Sequence, residues 1–395
     1  MSDKGNSVYP IFLAFLCMGF GDVVGPMVSL AKESFGLSNF TAQLLPFSGY
    51  LMFGLLSVPM GIFQARKGKK TALTLGLAIA CVGLVLPILG GMYGVENDFR
   101  SGGGFEYYLI LLSVLMLGAG ATVMQVSGNP IMRDVSAEGR FSSNLSLAQS
   151  IKAVGTSFGF LLPPLFLWAM GWKWTVLFPI YAVIVLIACL WVRSTKIDES
   201  PTTDAVSLAS CFALLKNRYV ALMVLGIFLY VGAESCMNSG VPILLSKEYG
   251  FNAQEEGLLI SWSLFFLPVL VGRFVGAAIL RRMKAERFLL ITASLSLLGV
   301  LLVFTYDIVS TMAGVILVGL GFANIFPLIF SIAVDKMPRY ANELSGLMIT
   351  AIVGGALVPP VWGVVADRWT TAAAFVVPLI CLAYILFVGV MVRRR

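Results

Sequence analysis

Twelve apolar stretches, each near the ~20 residues that an α-helix needs to cross the hydrocarbon core of a bilayer, recur along this chain with short polar gaps between them. Backbone surrounded by lipid must satisfy its own hydrogen bonds, so stretches of this length are read as spanning helices. They run roughly 9–31, 42–64, 71–93, 106–132, 143–169, 173–193, 218–244, 257–280, 287–305, 309–334, 343–365 and 371–392. The expected class is an all-α membrane protein. With 58% hydrophobic and 12% charged residues, the composition excludes a soluble globular domain of 395 residues.

Basic residues set the expected orientation, because Lys and Arg are held on the cytoplasmic side during insertion. With the N-terminus inside, twenty fall in cytoplasmic segments, among them Arg66, Lys67, Lys69, Lys70, Arg193, Lys196, Arg281, Arg282 and Arg393. Five fall outside: Lys32, Arg100, Lys173, Lys247 and Arg368. Both termini are therefore expected in the cytoplasm. The net charge of +7 follows from this bias, and its dispersal over short loops gives no reason to expect nucleic-acid binding. The first apolar stretch has no small-residue cleavage site and carries an acid, so it reads as a retained spanning helix. Of six cysteines, Cys17, Cys81, Cys189, Cys236 and Cys381 lie in spans and Cys211 in a loop, without metal-ligand spacing.

The longest polar interval, about 194–217, divides the spans six and six. The expected organisation is a bundle at 1–193, a cytoplasmic linker at 194–217 and a second bundle at 218–395. The halves echo one another: Phe35-Gly36-Leu37-Ser38-Asn39 follows helix 1, and Tyr249-Gly250-Phe251-Asn252-Ala253 follows helix 7. Basic loops begin at Arg66 and Arg281. Two such repeats with a site between them near the midplane describe the major facilitator architecture.

Four ionisable side chains are stranded within spans: Asp22, Lys152, Glu234 and Arg273. A charge at mid-bilayer costs at least ~2.5–3.5 kcal/mol, and residues that bear this cost usually face a cavity, a partner or an ion path. Asp22 lies about 12 residues into helix 1, ~18 Å deep at the helical rise. Desolvation and a nearby cation act on such a carboxyl in opposite directions, and either balance leaves a plausible proton carrier. Lys152, about nine residues into helix 5, reaches ~14 Å by the same rise, a comparable depth. A buried lysine needs a partner, and Asp22 is the nearest in depth. Three readings stay open for Lys152: it modulates protonation of Asp22, it binds the carboxylate of an acidic sugar, or the pair is structural. Arg273, two turns from the cytoplasmic end of helix 8, is expected to snorkel or cap and is assigned a structural role.

Local segments carry a resemblance. Gly61-Ile62-Phe63-Gln64-Ala65-Arg66-Lys67-Gly68-Lys69-Lys70 is similar to the helix 2–3 loop signature of the major facilitator superfamily, with Ala65 at its usual acidic position. Several further segments, in order along the chain, resemble the fucose:proton symporter family of sugar permeases. They are Gly21-Asp22-Val23-Val24-Gly25-Pro26, the Ser38-to-Gln43 turn, Gly128-Asn129-Pro130, Asn144-Leu145-Ser146-Leu147-Ala148-Gln149, Tyr230-Val231-Gly232-Ala233, Gly321-Phe322-Ala323-Asn324-Ile325-Phe326-Pro327, and Ala351-Ile352-Val353-Gly354-Gly355 through Pro359-Pro360. The resemblance implies that Asp22 is the helix 1 acid linked to proton coupling and sugar binding. The chain departs from the family pattern in carrying Gln125 in place of a helix 4 acid, Lys152 in place of an uncharged polar residue, and Glu234 where the family commonly has Gln.

A sugar pocket needs a few amides and acids among many apolar groups. Gln43, Gln125, Asn129, Gln149, Asn238 and Asn324 supply amides within or at the ends of spans. Gln125, Gln149, Glu234, Asn238 and Asn324 are the candidate sugar contacts. Asn129 is expected to be structural, satisfying backbone groups freed by Pro130. The absence of histidine removes the commonest metal ligand and general base, no phosphate-binding loop of the ATPase type is present, and no enzyme is expected. No cofactor is expected beyond a coupling ion, a proton or sodium. The expected function is import of a monosaccharide by proton symport, through a monomer in a bacterial inner membrane. The alternatives are a proton-coupled exporter of drugs or metabolites, and a sodium-coupled or acidic-sugar symporter.

Overall fold

The computed structural model describes residues 7–95, 104–136, 141–199, 213–252, 256–280, 283–337 and 340–393. Residues 200–212 of the linker, with Pro201, Asp204 and Cys211, lie outside them. So do the basic residues Lys4, Arg100, Arg140, Arg281, Arg282, Arg339, Arg394 and Arg395. Among the described residues no strand is present, and the regular structure is helical. The first half comprises α1 (Val8–Asp22), α2 (Val24–Phe35), α3 (Asn39–Ala42), α4 (Leu44–Lys67), α5 (Lys69–Leu89), α6 (Phe105–Val135), α7 (Phe141–Met170) and α8 (Leu177–Ser194). The second comprises α9 (Arg218–Tyr249), α10 (Leu258–Ser261), α11 (Leu267–Ile279), α12 (Ala285–Val303), α13 (Ile308–Lys336), α14 (Ala341–Thr350), α15 (Gly354–Arg368) and α16 (Val376–Arg393). By length and composition, eleven of the described helices can cross a membrane, and α1 with α2 makes a twelfth as one bent span.

That bend was not anticipated. The expected single helix over 9–31 is broken at Val23, with a 40° turn between its parts. Pro26 has no N–H to give the carbonyl of Asp22 four residues back, and this removes one rung of the ladder at the ionisable residue. Helix 8 is interrupted too: a π-helical segment, Trp262–Phe266, joins α10 to α11. Such segments are uncommon and frequently mark functional positions.

The same device closes equivalent contacts in both halves. Where α5 crosses α6, a Cβ on Gly76 would meet the Gly120 carbonyl oxygen at 2.9 Å, and one on Gly120 would meet the Gly76 oxygen at 2.7 Å. Gly299 of α12 and Gly314 of α13 oppose one another in the same way. Paired glycines let the backbones touch, and close packing drives helix association in lipid, where the hydrophobic effect is absent. Within the first half α1 packs on α6, α7 and α8, and within the second α9 packs on α13, α15 and α16. Between the halves, α2 packs on α9, α3 and α4 pack on α15, and α7 packs on α10 and the π segment.

Charges at the basic end are held by two acids. Glu199 accepts from the backbone N–H groups of Lys69 (2.6 Å) and Lys70 (3.0 Å), capping α5. It thereby brings a carboxylate to the loop whose own position 65 carries alanine. Lys69 Nζ donates to Asp134 Oδ2 at 2.7 Å, with both side chains almost fully buried. Removing one partner of a buried pair leaves an uncompensated charge, at a cost of about 3–5 kcal/mol. Asp134→Ala is therefore expected to lower the melting temperature in detergent, and Lys69→Met/Asp134→Leu to recover most of the loss. A double variant as unstable as the single one would contradict this.

Candidate functional site

The crossing of α1 and α7 positions the central pair. A Cβ on Gly19 would overlap the carbonyl oxygen of Lys152, and a Cβ on Gly155 that of Leu16. At this separation Asp22, at the end of α1, and Lys152, in α7, meet: Nζ lies 2.9 Å from Oδ2. Lys152 Nζ also donates to Oε1 of Gln125 on α6 at 3.3 Å. The side chains of Lys152 and Asp22 keep 18% and 26% of their exposure, so water reaches the pair. A partly hydrated ion pair can be opened by a proton or a polar ligand at lower cost than a dry one. Gln149 precedes Lys152 by three residues and so falls on the same face of α7.

The second half faces this pair with the other two stranded charges. Glu234 on α9 is half-buried and interacts with Tyr230, and it lies within electrostatic reach of Arg273, Asp22 and Lys152. Arg273 on α11 is exposed, and its charge also reaches Tyr230. The sequence suggested a snorkelling or capping arginine; its charge also lies within electrostatic reach of Glu234, a carboxylate of its own half. All four ionisable residues thus belong to one electrostatic cluster between the halves.

Two tyrosines complete the cluster and were missed as site residues. Tyr50 on α4 lies within reach of both Asp22 and Glu234, and its ring covers Gly355 of α15, where a Cβ would come within 2.8 Å of it. Tyr230 donates to the carbonyl of Phe322 at 3.0 Å while its ring packs edge-on against Phe322. Tyr230 stood in a segment that carried the family resemblance. For Tyr50 the available signal was a hydroxyl in the middle of an apolar span.

The remaining amides divide. Asn324 on α13 is buried, donates from Nδ2 to the Gly272 carbonyl at 2.8 Å and fills the space beside Gly276. It joins α13 to α11, so the expected sugar contact is engaged in helix packing instead. Asn238 packs against Gly25 across the interface between the halves, and its Oδ1 is buried with no hydrogen-bond partner among the described residues. Gln43 is fully buried, accepts from Ser239 Oγ at 3.1 Å, and its Nε2 is without a partner. The Oδ1 of Asn129 is likewise unpartnered. Orphaned donors and acceptors at the interface are what a polyhydroxylated ligand or bridging water would satisfy. No cluster of His, Cys, Asp and Glu suited to a metal occurs among the described residues.

Comparisons with known proteins agree with this fold. The model of the Major Facilitator Superfamily matches residues 11–357. A glucose/galactose transporter of Brucella abortus is 27% identical over 400 residues, covering 98% of this chain and 93% of the relative. The L-fucose-proton symporter of Escherichia coli is 23% identical over 434 residues, covering 97% and 93%. Among solved structures, the transporter FucP in the outward conformation superposes with a TM-score of 0.67 at 20% identity, covering 98% of this chain and 99% of that one.

Proposed function

Since the chain belongs to the major facilitator superfamily, we propose that it imports a monosaccharide by proton symport, alternating access between its two halves. The observation that carries the reading is the partly exposed pair of Asp22 and Lys152, whose ammonium also bonds Gln125 and which lies within electrostatic reach of Glu234 in the other half. The names of the matched relatives supply the substrate class. Asp22 is the proton carrier and Lys152 the cation that sets when the proton binds. Tyr50 and Tyr230 offer aromatic faces and hydroxyls, and Gln125, Gln149, Glu234 and Asn238 offer polar contacts to sugar hydroxyls. With both termini in the cytoplasm, the end that joins α2 to α9 and α3 to α15 is the outer one. The contacts between the halves at this end correspond to a closed outer side.

Uptake into proteoliposomes tests the proposal, with neutral and acidic sugars and with imposed pH or sodium gradients. Proton-driven accumulation of a neutral sugar is the expected result. Accumulation driven by sodium alone would reassign the ion, and proton-driven expulsion of hydrophobic cations would replace import by export.

Lys152→Gln separates the two functional readings of the lysine. If Lys152 serves Asp22, its loss leaves the acid without its cation, and the pH optimum of uptake moves upward for every substrate. If it recognises a carboxylate, affinity for an acidic sugar falls by roughly 1.5–3 kcal/mol while neutral analogues bind almost unchanged. The first outcome is expected, because Asp22 already occupies the ammonium at 2.9 Å. No change in either quantity would make the pair structural.

A further inference from the structure

We infer that Asp367 is a positioning residue of the transport cycle, a latch that closes the outer end by capping a helix of the opposite half. Its carboxylate accepts three hydrogen bonds. Oδ1 receives the backbone N–H of Asn39 at 2.8 Å and its Nδ2 at 2.6 Å, and Oδ2 receives the backbone N–H of Phe40 at 2.7 Å. These N–H groups open α3, and the first donors of a helix have no partner within it. Ser38 Oγ takes the next one, from Thr41, at 3.0 Å. The first half therefore caps one of these donors itself and leaves two to Asp367.

The sequence builds the reach of this contact. Gly363 lies one turn before Asp367 on the same face of α15, and a Cβ there would stand 2.9 Å from the Asn39 carbonyl oxygen and from Phe40 Cα. Only glycine lets α15 approach the start of α3 so closely, and that approach brings the carboxylate over the two amides. Asp367 itself is exposed, whereas Asn39 beside it is buried. Once the halves part, water can solvate both carboxylate and amides, so the bonds are exchangeable and the closure reversible. Ser246 Oγ to Glu33 Oε1, at 3.1 Å, and Ser239 Oγ to Gln43 Oε1, at 3.1 Å, join the halves at the same end. Asp367 differs from both in binding backbone donors, which no side-chain rotation in the first half can withdraw.

The latch rests on the alternating-access reading, and its test requires no sugar. Spin labels at Met170 and Glu248 report the separation of the halves at the outer end, and labels at Ser194 and Lys284 report the opposite end; all four sites are exposed. In lipid nanodiscs, Asp367→Ala is expected to shift the ratio of outer-open to outer-closed molecules by at least about tenfold, since charge-assisted bonds are lost. The opposite pair should shorten. Asn39→Ala should give a smaller shift in the same direction and add little to Asp367→Ala, because both act through one contact. Asp367→Asn, which keeps the shape with a neutral acceptor, should fall between wild type and Asp367→Ala, and serves if the alanine variant does not fold. Unchanged outer distances in a variant that melts like wild type would overturn the latch, as would additive shifts from the two alanine variants. Either result would leave the sugar assignment standing, since that is read from uptake alone.

Discussion

Replacing Asp22 by asparagine is expected to reduce pH-driven accumulation of sugar to the level of empty liposomes, while exchange of labelled for unlabelled sugar across the membrane persists. Asparagine preserves the size of the side chain at the end of α1 and an acceptor for the Lys152 ammonium 2.9 Å away. It cannot take up or release a proton at this position. Net accumulation requires the proton to be carried and released in each cycle, whereas exchange returns the carrier loaded. The fold should tolerate the change, because both side chains retain contact with water and the lysine is not left wholly desolvated. Full pH-driven uptake by Asp22→Asn would remove Asp22 from the coupling mechanism.

A single methyl group at Gly19 is expected to have an effect of similar size by another route. The added Cβ would overlap the Lys152 carbonyl oxygen and stand 2.7 Å from the Thr156 nitrogen, and backbone atoms of a packed helix cannot turn aside. The helices must separate, at the ~1–3 kcal/mol or more that overpacking costs, and Lys152 moves away from Asp22 with its helix. Gly19→Ala should therefore melt lower and transport poorly even where it folds. Gly61→Ala, in α4 where a Cβ meets nothing within 4 Å, should be neutral or gain roughly 0.5–1 kcal/mol from helix propensity. Equal behaviour of the two variants in melting and uptake would contradict the close crossing.

Much of the architecture was legible because the bilayer imposes a single length scale on every span. The chain also showed which charges were stranded, and matching the depths of Asp22 and Lys152 anticipated their contact. Depth does not reveal rotation about the helix axis, which neighbouring helices decide. Asn324 and Asn238 look alike in sequence, each an amide in a long apolar helix. One is bonded into the contact of α13 with α11, and the other lies at the interface with Gly25. Arg273 shows the same limit: its distance from the helix end gives its depth, whereas its electrostatic reach to Glu234 and Tyr230 depends on the face it occupies. Asp367 was overlooked because it sits at the end of a span, where a charge needs no explanation. Only the approach of α3 identifies its partners.

The break at Val23 divides helix 1 between two allegiances. α1 is seated on α6, α7 and α8 of its own half, with glycines locking it to α7, while the main partner of α2 is α9 of the other half. When the halves rock, α1 and α7 must travel as one wall, and the bend beyond Asp22 takes up the displacement of α2. Asp22 and Lys152 both ride on that wall, so the motion has no leverage with which to pull them apart. On the proposed mechanism their separation falls to a proton or a sugar hydroxyl arriving at the joint, and the mechanical stroke follows from it.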